Sequence, residues 1–393
     1  MSSLLDKTTD LLLHLPPAMD RRSSGPSSNG SGIPDFSSLQ NQVTLPLEFT
    51  WPKNDLAETE QRPHELKEPV VDLKGFMDGD KVATARAVEL VRVACSTHGF
   101  FQVTNHGIDR NLIGAAYDAV ESVFRLPWNK KMSIKRKVGS FCGFSGGHVD
   151  RYSSKLPWKE TFSFGYSYSR PRSVIDYFHS VLGPDFEHAG VVYEKYCEAV
   201  KELSHVIMEL LALSLGVDRM HYRKFFEDGS SIMRCNYYPP CSQSSLTLGT
   251  GPHTDPTSIT ILHQDQVGGL QVFSGGSWLN IRPRPDSFVI NIGDTFAVIS
   301  IKRFLYTKIY IGAGGFVLIA RIVCLTGSVK REMQELLASG GREQVAGEEV
   351  AGVLRLPSRG QGGEASTGAG RKSGPKVPRL QVVRPVGFHS ESL

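Results

Sequence analysis

The sequence predicts an α+β chain in which helices flank an antiparallel β sandwich or barrel. Three observations carry that expectation. Asp80–Gly99, Asn111–Leu126 and about Gly190–Leu215 repeat apolar side chains at helical spacing. From Ser231 to Ser300, short runs rich in β-branched and aromatic residues are punctuated by Gly, Pro and Asp at turn spacing. After Ser300 that texture dissolves: no Phe, Tyr or Trp stands between Phe316 and Phe388, and "SRGQGGEASTGAGRKSGPK" is of low complexity.

Taken in order, residues 1–43 contain "RRSSGPSSNGSGIPDFSS" and read as a disordered tail. "LPLEFTWP", Leu45–Pro52, supplies apolar and aromatic anchors for a domain surface. "PVVDL" reads as a short buried strand, and "DKVATARAVELVRVACSTHG" as a helix stopped at Gly99. "FFQVTNHG" reads as a strand, and "NLIGAAYDAVESVFRL" as a second amphipathic helix. A long helix with a wide apolar face follows from about Gly190 to Leu215. "SIMRCNYYP", "LTLGTG", "SITILHQ", "GLQVF", "WLNIRP" and "SFVINIGDTFAVIS" read as strands. The expected division is a tail over 1–43, a helical region over 44–225, a β region over 226–300 and an aberrant, disordered tail over 301–393.

Composition narrows the function classes. A chain of 393 residues has room for one large domain or two ordinary ones. Its net charge of +4 is small and unclustered, which argues against a nucleic-acid partner. Cys95, Cys142, Cys197, Cys235, Cys241 and Cys324 form no CxxC pair, as expected of reduced thiols. "LLLHLPP" is too short and too broken for a secretory leader, and no run approaches the ~20 apolar residues of a membrane span. A soluble, cytoplasmic monomer is expected.

The chemistry starts at His253-Thr254-Asp255. On a strand, residues i and i+2 face the same side, so an imidazole and a carboxylate converge there. A second His would complete a 2-His-1-carboxylate site for iron. Alone, the triplet reads as easily as a turn or a solvated polar pair.

Its surroundings are more specific. "NYYPPC", Asn236–Cys241, then "LTLGTGPHTDPTSITILHQDQVGGLQVF", and "THGFFQVTNHGI" at Thr97–Ile108 resemble the plant 2-oxoglutarate/Fe(II)-dependent dioxygenases. The likeness runs from about Leu45 to Ser300. Within that family, "LPLEFTWP", "LPWKET" and the long run around the triplet resemble gibberellin 20-oxidases. Cys often stands between the ligands in that subgroup; here it is Thr254, expected to face away from the metal.

The resemblance implies a double-stranded β-helix, or jelly roll, flanked by helices. It implies Fe(II) held by His253 and Asp255, with 2-oxoglutarate as cosubstrate near Asn236 and Tyr238. It further implies O₂ and ascorbate, and a gibberellin contacted by Leu156, Pro157, Trp158, Lys159, Glu160 and Thr161. The reaction implied is oxidation at C-20, with decarboxylation of 2-oxoglutarate to succinate. Read without the motif, Tyr238 serves equally as a core aromatic, Trp158 as a packing anchor, and Lys159 and Glu160 as a solvated pair.

The third ligand is missing. The family carries its second His in a stretch like H-R-A-V-V-N-S, with an Arg ten residues later and a Ser two beyond that, both on the cosubstrate carboxylate. No His stands between His263 and His389. Arg371-Lys372-Ser373 matches only in letters, because it lies in a Gly-rich stretch. With permitted codons read one base later, Ala338–Gln344 becomes His-Arg-Ala-Val-Val-Asn and Glu348–Leu354 becomes Arg-Lys-Ser-Leu-Ala-Phe-Phe. The spacing is the family's, so residues after about 336 read as an out-of-frame copy of the catalytic segment. Ile301–Met333 then reads as translated intron. The expectation is a jelly roll without its last core strands and a chain of impaired activity. The competing expectations are an inactive remnant or binding protein, and a dioxygenase of another plant metabolite.

Overall fold

Helix formation follows the caps and the apolar spacing. In the computed structural model, which describes residues 32–52, 56, 65–67, 69–149, 155–223, 230–300, 309–311 and 315–323, Asp80 opens α1 (Lys81–Thr97). Its carboxylate accepts from the amides of Val82 and Ala83 at 2.8 and 3.0 Å, pairing two of the orphan donors of the first turn. Replacing Asp80 by Ala is expected to cost about 1 kcal/mol in urea denaturation. Asp109 caps α2 (Arg110–Phe124) in the same way. After α3 (Ser173–Leu182), the 28-residue α4 (Glu187–Ser214) runs roughly 42 Å at 1.5 Å per residue. Tyr193, Tyr196, Val200, Leu203, Ile207 and Leu211 of α4 are buried against the β core.

Twelve strands are described: β1 (Val70–Asp72), β2 (Phe100–Thr104), β3 (Gly143–Gly146), β4 (Glu160–Ser167), β5 (Ser230–Tyr238), β6 (Thr250–His253), β7 (Ile259–Gln264), β8 (Leu270–Ser274), β9 (Ser277–Asn280), β10 (Phe288–Ile292), β11 (Ile309–Ile311) and β12 (Gly315–Val323). The larger sheet has the order β1-β2-β10-β7-β12-β5-β4-β3, and the smaller β6-β11-β8-β9. All pairings are antiparallel except β1 with β2. Tyr238 and Leu262 of the larger sheet pack with Leu270 and Val272 of the smaller, so one apolar interior lies between them. The opposite face of the larger sheet, with Met233, Cys235, Ile259, Ile261 and Ile290, packs into the helical layer. Strands β5, β7 and β10 are therefore buried on both faces, which explains their near-continuous apolar runs.

Several expectations are corrected here. The last core strands are not missing. Val317–Ile322 of β12 pair on one side with β7, and all nine residues of β12 pair with β5 on the other. β11 joins β6 to β8. Ladder hydrogen bonds are made by backbone, so a run such as "GFVLIARIV" can fill the slot without the family's side chains. Disorder from residue 301 onward is thus wrong for 309–311 and 315–323. Residues 324–393, with the frame-shifted stretches, Arg371–Ser373 and His389, lie outside the described residues.

The boundary at 225/226 does not separate two cores, because β1 to β4 share a sheet with β5, β7, β10 and β12. The expected strand over "SFVINIGDTFAVIS" ends at Ile292, and a short helix α5 (Asp294–Ile299) follows. Of the expected tail 1–43, residues 1–31 lie outside the described residues. Phe36–Leu39 form one helical turn capped by Asp35, and Phe36 is buried against Phe49 and Trp158. Among the described residues, no helix is long and apolar enough to cross a membrane, and five cysteines are free.

Candidate active site

β6 ends at His253, and the chain then turns inward at Asp255. His253 Nδ1 lies 2.9 Å from the Gly251 carbonyl oxygen, which can only accept, so Nδ1 carries the proton. Nε2 lies 3.8 Å from Asp255 Oδ1. Asp255 is buried, and Thr260 of β7 donates to its Oδ2 at 2.6 Å. A ligand atom from each residue is thus oriented by a partner on its far side, as metal ligands usually are. The Thr254 hydroxyl donates to Asp294 Oδ2 at 2.9 Å. Burial raises the Asp294 carboxyl above its ordinary value, against the pull of Thr254.

Two glycines permit this geometry. A Cβ on Gly293 would fall 1.8 Å from the Thr257 carbonyl oxygen. A Cβ on Gly251 would fall 2.7 Å from the Trp51 ring, which presses the N-terminal segment onto β6. Trp51 Nε1 also donates to the Leu156 carbonyl at 3.1 Å, so Leu45–Pro52 does anchor on the domain.

Asn236 and Tyr238 are alternate residues of β5, and Tyr238 belongs to the barrel interior. The Tyr238 hydroxyl lies 3.3 Å from Thr250 Oγ1, to which Lys159 Nζ donates at 2.8 Å. Leu156–Thr161 ties several elements together. The Leu156 amide donates to the Glu48 carbonyl at 2.7 Å, and the Lys159 amide to Pro157 at 2.9 Å. Trp158 is buried edge-on against Phe36 and Phe49, with Nε1 donating to Pro239 at 2.9 Å. Lys159 and Glu160 are buried, not a solvated pair; Glu160 is paired with Lys131 at 2.8 Å. Thr161, wholly buried, donates to Asn236 Oδ1 at 3.0 Å. Thr250 and Thr260 lie in the quoted run around the triplet without an expected role, and His148 lies outside every quoted motif.

Two family descriptions match: the 2OG-Fe(II) oxygenase superfamily over residues 229–307, and "non-haem dioxygenase in morphine synthesis N-terminal" over residues 69–180. Gibberellin 20 oxidase 2 of Oryza sativa subsp. indica is 50% identical over 297 residues, covering 74% of this chain and 74% of that protein. The chain belongs to the 2OG-Fe(II) oxygenase superfamily. Gibberellin 20 oxidase 1-B of Triticum aestivum is 49% identical to this oxygenase over 69% of the chain and 74% of its own. Gibberellin 20 oxidase 3 of Arabidopsis thaliana is 47% identical over 67% and 70%. The crystal structure of JOX2 in complex with 2OG, Fe and JA superposes with a TM-score of 0.63 at 26% identity, over 75% of this chain and 85% of that one. A jelly-roll dioxygenase fold is therefore shared.

The superfamily match stops at residue 307, just before β11. On β11 the residue opposite His253 is Ile309, which has no donor atom for a metal. Among the described residues, no group of three or more His, Cys, Asp and Glu could hold a metal ion. Asn236 and Tyr238 stand opposite Val317 and Gly315 on β12, neither of them a cation. The described residues supply two ligands of an iron site and do not fit the complete one.

Proposed function

We propose that this oxygenase is built for 2-oxoglutarate-dependent oxidation of a gibberellin at C-20, and that as it stands it is impaired at the metal. The observation that carries the reading is the approach of His253 Nε2 and Asp255 Oδ1 at the end of β6, the strand whose Thr250 meets the Tyr238 hydroxyl. The half-identity to gibberellin 20 oxidases supports the substrate class. Asn236 and Tyr238 would donate to the carboxylates of 2-oxoglutarate. Leu156 and Pro157 would offer the gibberellin an apolar edge, with Trp158, Lys159, Glu160 and Thr161 setting that edge from behind. Fe(II) would supply the oxidising chemistry with O₂, and ascorbate would keep it reduced. Action as a monomer in the cytoplasm belongs to the same reading, supported by the scattered cysteines and the small net charge.

Ile309 opposite His253 favours a second reading, a non-catalytic remnant that keeps only the binding surfaces. One experiment separates the possibilities: equilibrium binding of a C-20 gibberellin and of a flavonoid, together with succinate release from 2-oxoglutarate. Selective gibberellin binding is expected, with no succinate above the protein-free rate. A preference for the flavonoid would move the substrate to another plant metabolite. Steady succinate release would show that two ligands suffice and would end the claim of impairment.

A further inference from the structure

Three buried polar side chains from three parts of the chain form one line. His148 Nε2 lies 2.9 Å from Thr161 Oγ1, and Thr161 Oγ1 lies 3.0 Å from Asn236 Oδ1. All three residues are at most 4% exposed. With Asn236 Oδ1 toward Thr161, the proton count along this line has one solution. An amide oxygen can only accept, so the single Thr161 hydroxyl proton goes to Asn236. Thr161 must then accept from His148, so Nε2 carries a proton. The Asn236 amide is thereby held with its oxygen toward β4 and its NH₂ group turned away.

We infer that His148 and Thr161 are positioning residues that lock the Asn236 amide so that its nitrogen faces the cosubstrate. The inference deepens the proposed reading of Asn236 and rests on it. A carboxylate has only acceptors to offer, so it binds an amide that presents NH₂ and is repelled by one that presents its oxygen. A free asparagine presents either. The lock removes that choice before the ligand arrives, which is preorganisation. His148 itself sits at φ +47°, a left-handed conformation that non-glycine residues rarely adopt. The backbone cost is sustained at the residue that starts the line. Neither His148 nor Thr161 touches the reacting atoms in this scheme; both act through Asn236.

The test has two readouts. The first is the ¹⁵N shift of the His148 imidazole in the ligand-free chain, assigned by its loss in His148→Phe. A protonated Nε2 is expected. The second is calorimetric binding of 2-oxoglutarate at saturating Ni(II). Thr161→Val is expected to weaken it about tenfold, while Thr161→Ser, which keeps the hydroxyl, stays within about twofold of the parent. An unprotonated Nε2 would reverse the line, free the amide to turn and overturn the inference. Equal losses in the Val and Ser variants would also overturn it, because they would report packing alone. A protonated Nε2 in a chain that binds no 2-oxoglutarate would support the lock and count against the cosubstrate reading of Asn236.

Discussion

Replacing Ile309 by histidine is expected to raise affinity for a divalent metal by about 100-fold or more, some 2.7 kcal/mol. The two existing ligands are already oriented. Gly251 takes the Nδ1 proton of His253, and Thr260 occupies Oδ2 of Asp255. Nε2 and Oδ1 lie 3.8 Å apart. What the site lacks is a donor from the neighbouring strand. Residue 309 stands opposite His253 in the β6–β11 ladder, where facing Cα atoms are roughly 4.5–5.5 Å apart and paired positions share a face. Loss of a supporting partner behind a ligand costs about 10–100-fold in metal affinity, so the gain of a whole ligand should exceed that. Titration with Co(II), followed by its visible absorption, reads the change. Adding His253→Ala to Ile309→His should return the affinity to that of the starting chain. Indistinguishable affinities for the parent chain and the Ile309→His variant would mean that position 309 does not reach the metal.

No sequence motif marks position 309. His253 and Asp255 are legible because they are close in sequence, two residues apart at the end of β6. Asn236 and Tyr238 are legible only through the family resemblance of "NYYPPC". The position of the third ligand depends on which segment enters the slot between β6 and β8. Low aromatic content and the lost motif after Ser300 argued that nothing did. The ladder asks only for extended backbone with apolar side chains, and "IYI" and "GFVLIARIV" satisfy it. Composition is therefore a poor guide to whether strands form here.

Other misses have similar causes. Long helices such as Lys81–Thr97 and Glu187–Ser214 are readable because their periodicity is sustained. Asp294–Ile299 is not, since six residues inside an apolar run look the same as strand or helix. Leu156–Thr161 reads as a recognition stretch, while the strand Glu160–Ser167 that it leads into is what brings Thr161 to Asn236. Thr161 is 13 residues from His148 and 75 from Asn236, so no spacing rule connects them.

The second large effect concerns the ion pair that holds the start of β4. Lys131 Nζ donates to both carboxylate oxygens of Glu160, at 2.8 and 3.1 Å, with side chains 6% and 2% exposed. Removing one partner strands a buried charge, so Lys131→Met is expected to cost about 3–5 kcal/mol at neutral pH. Lys131→Met with Glu160→Leu should recover most of the loss, because an apolar pair leaves no charge behind. Burial pushes the Glu160 carboxyl above its ordinary 4.5, and Lys131 pulls it back. Without Lys131 the folded-state value must rise further. A carboxyl with a raised folded-state value binds its proton more readily folded than unfolded. The single variant therefore gains stability as pH falls through that value, with the gain complete below about 4.5. Its deficit against the parent chain should shrink between pH 7 and pH 5 in urea denaturation. A deficit independent of pH would mean that lost packing around Lys131, not the stranded carboxylate, sets the cost. Because Glu160 precedes Thr161 on the same strand, the pair that stabilises this corner also holds the Thr161 hydroxyl against Asn236.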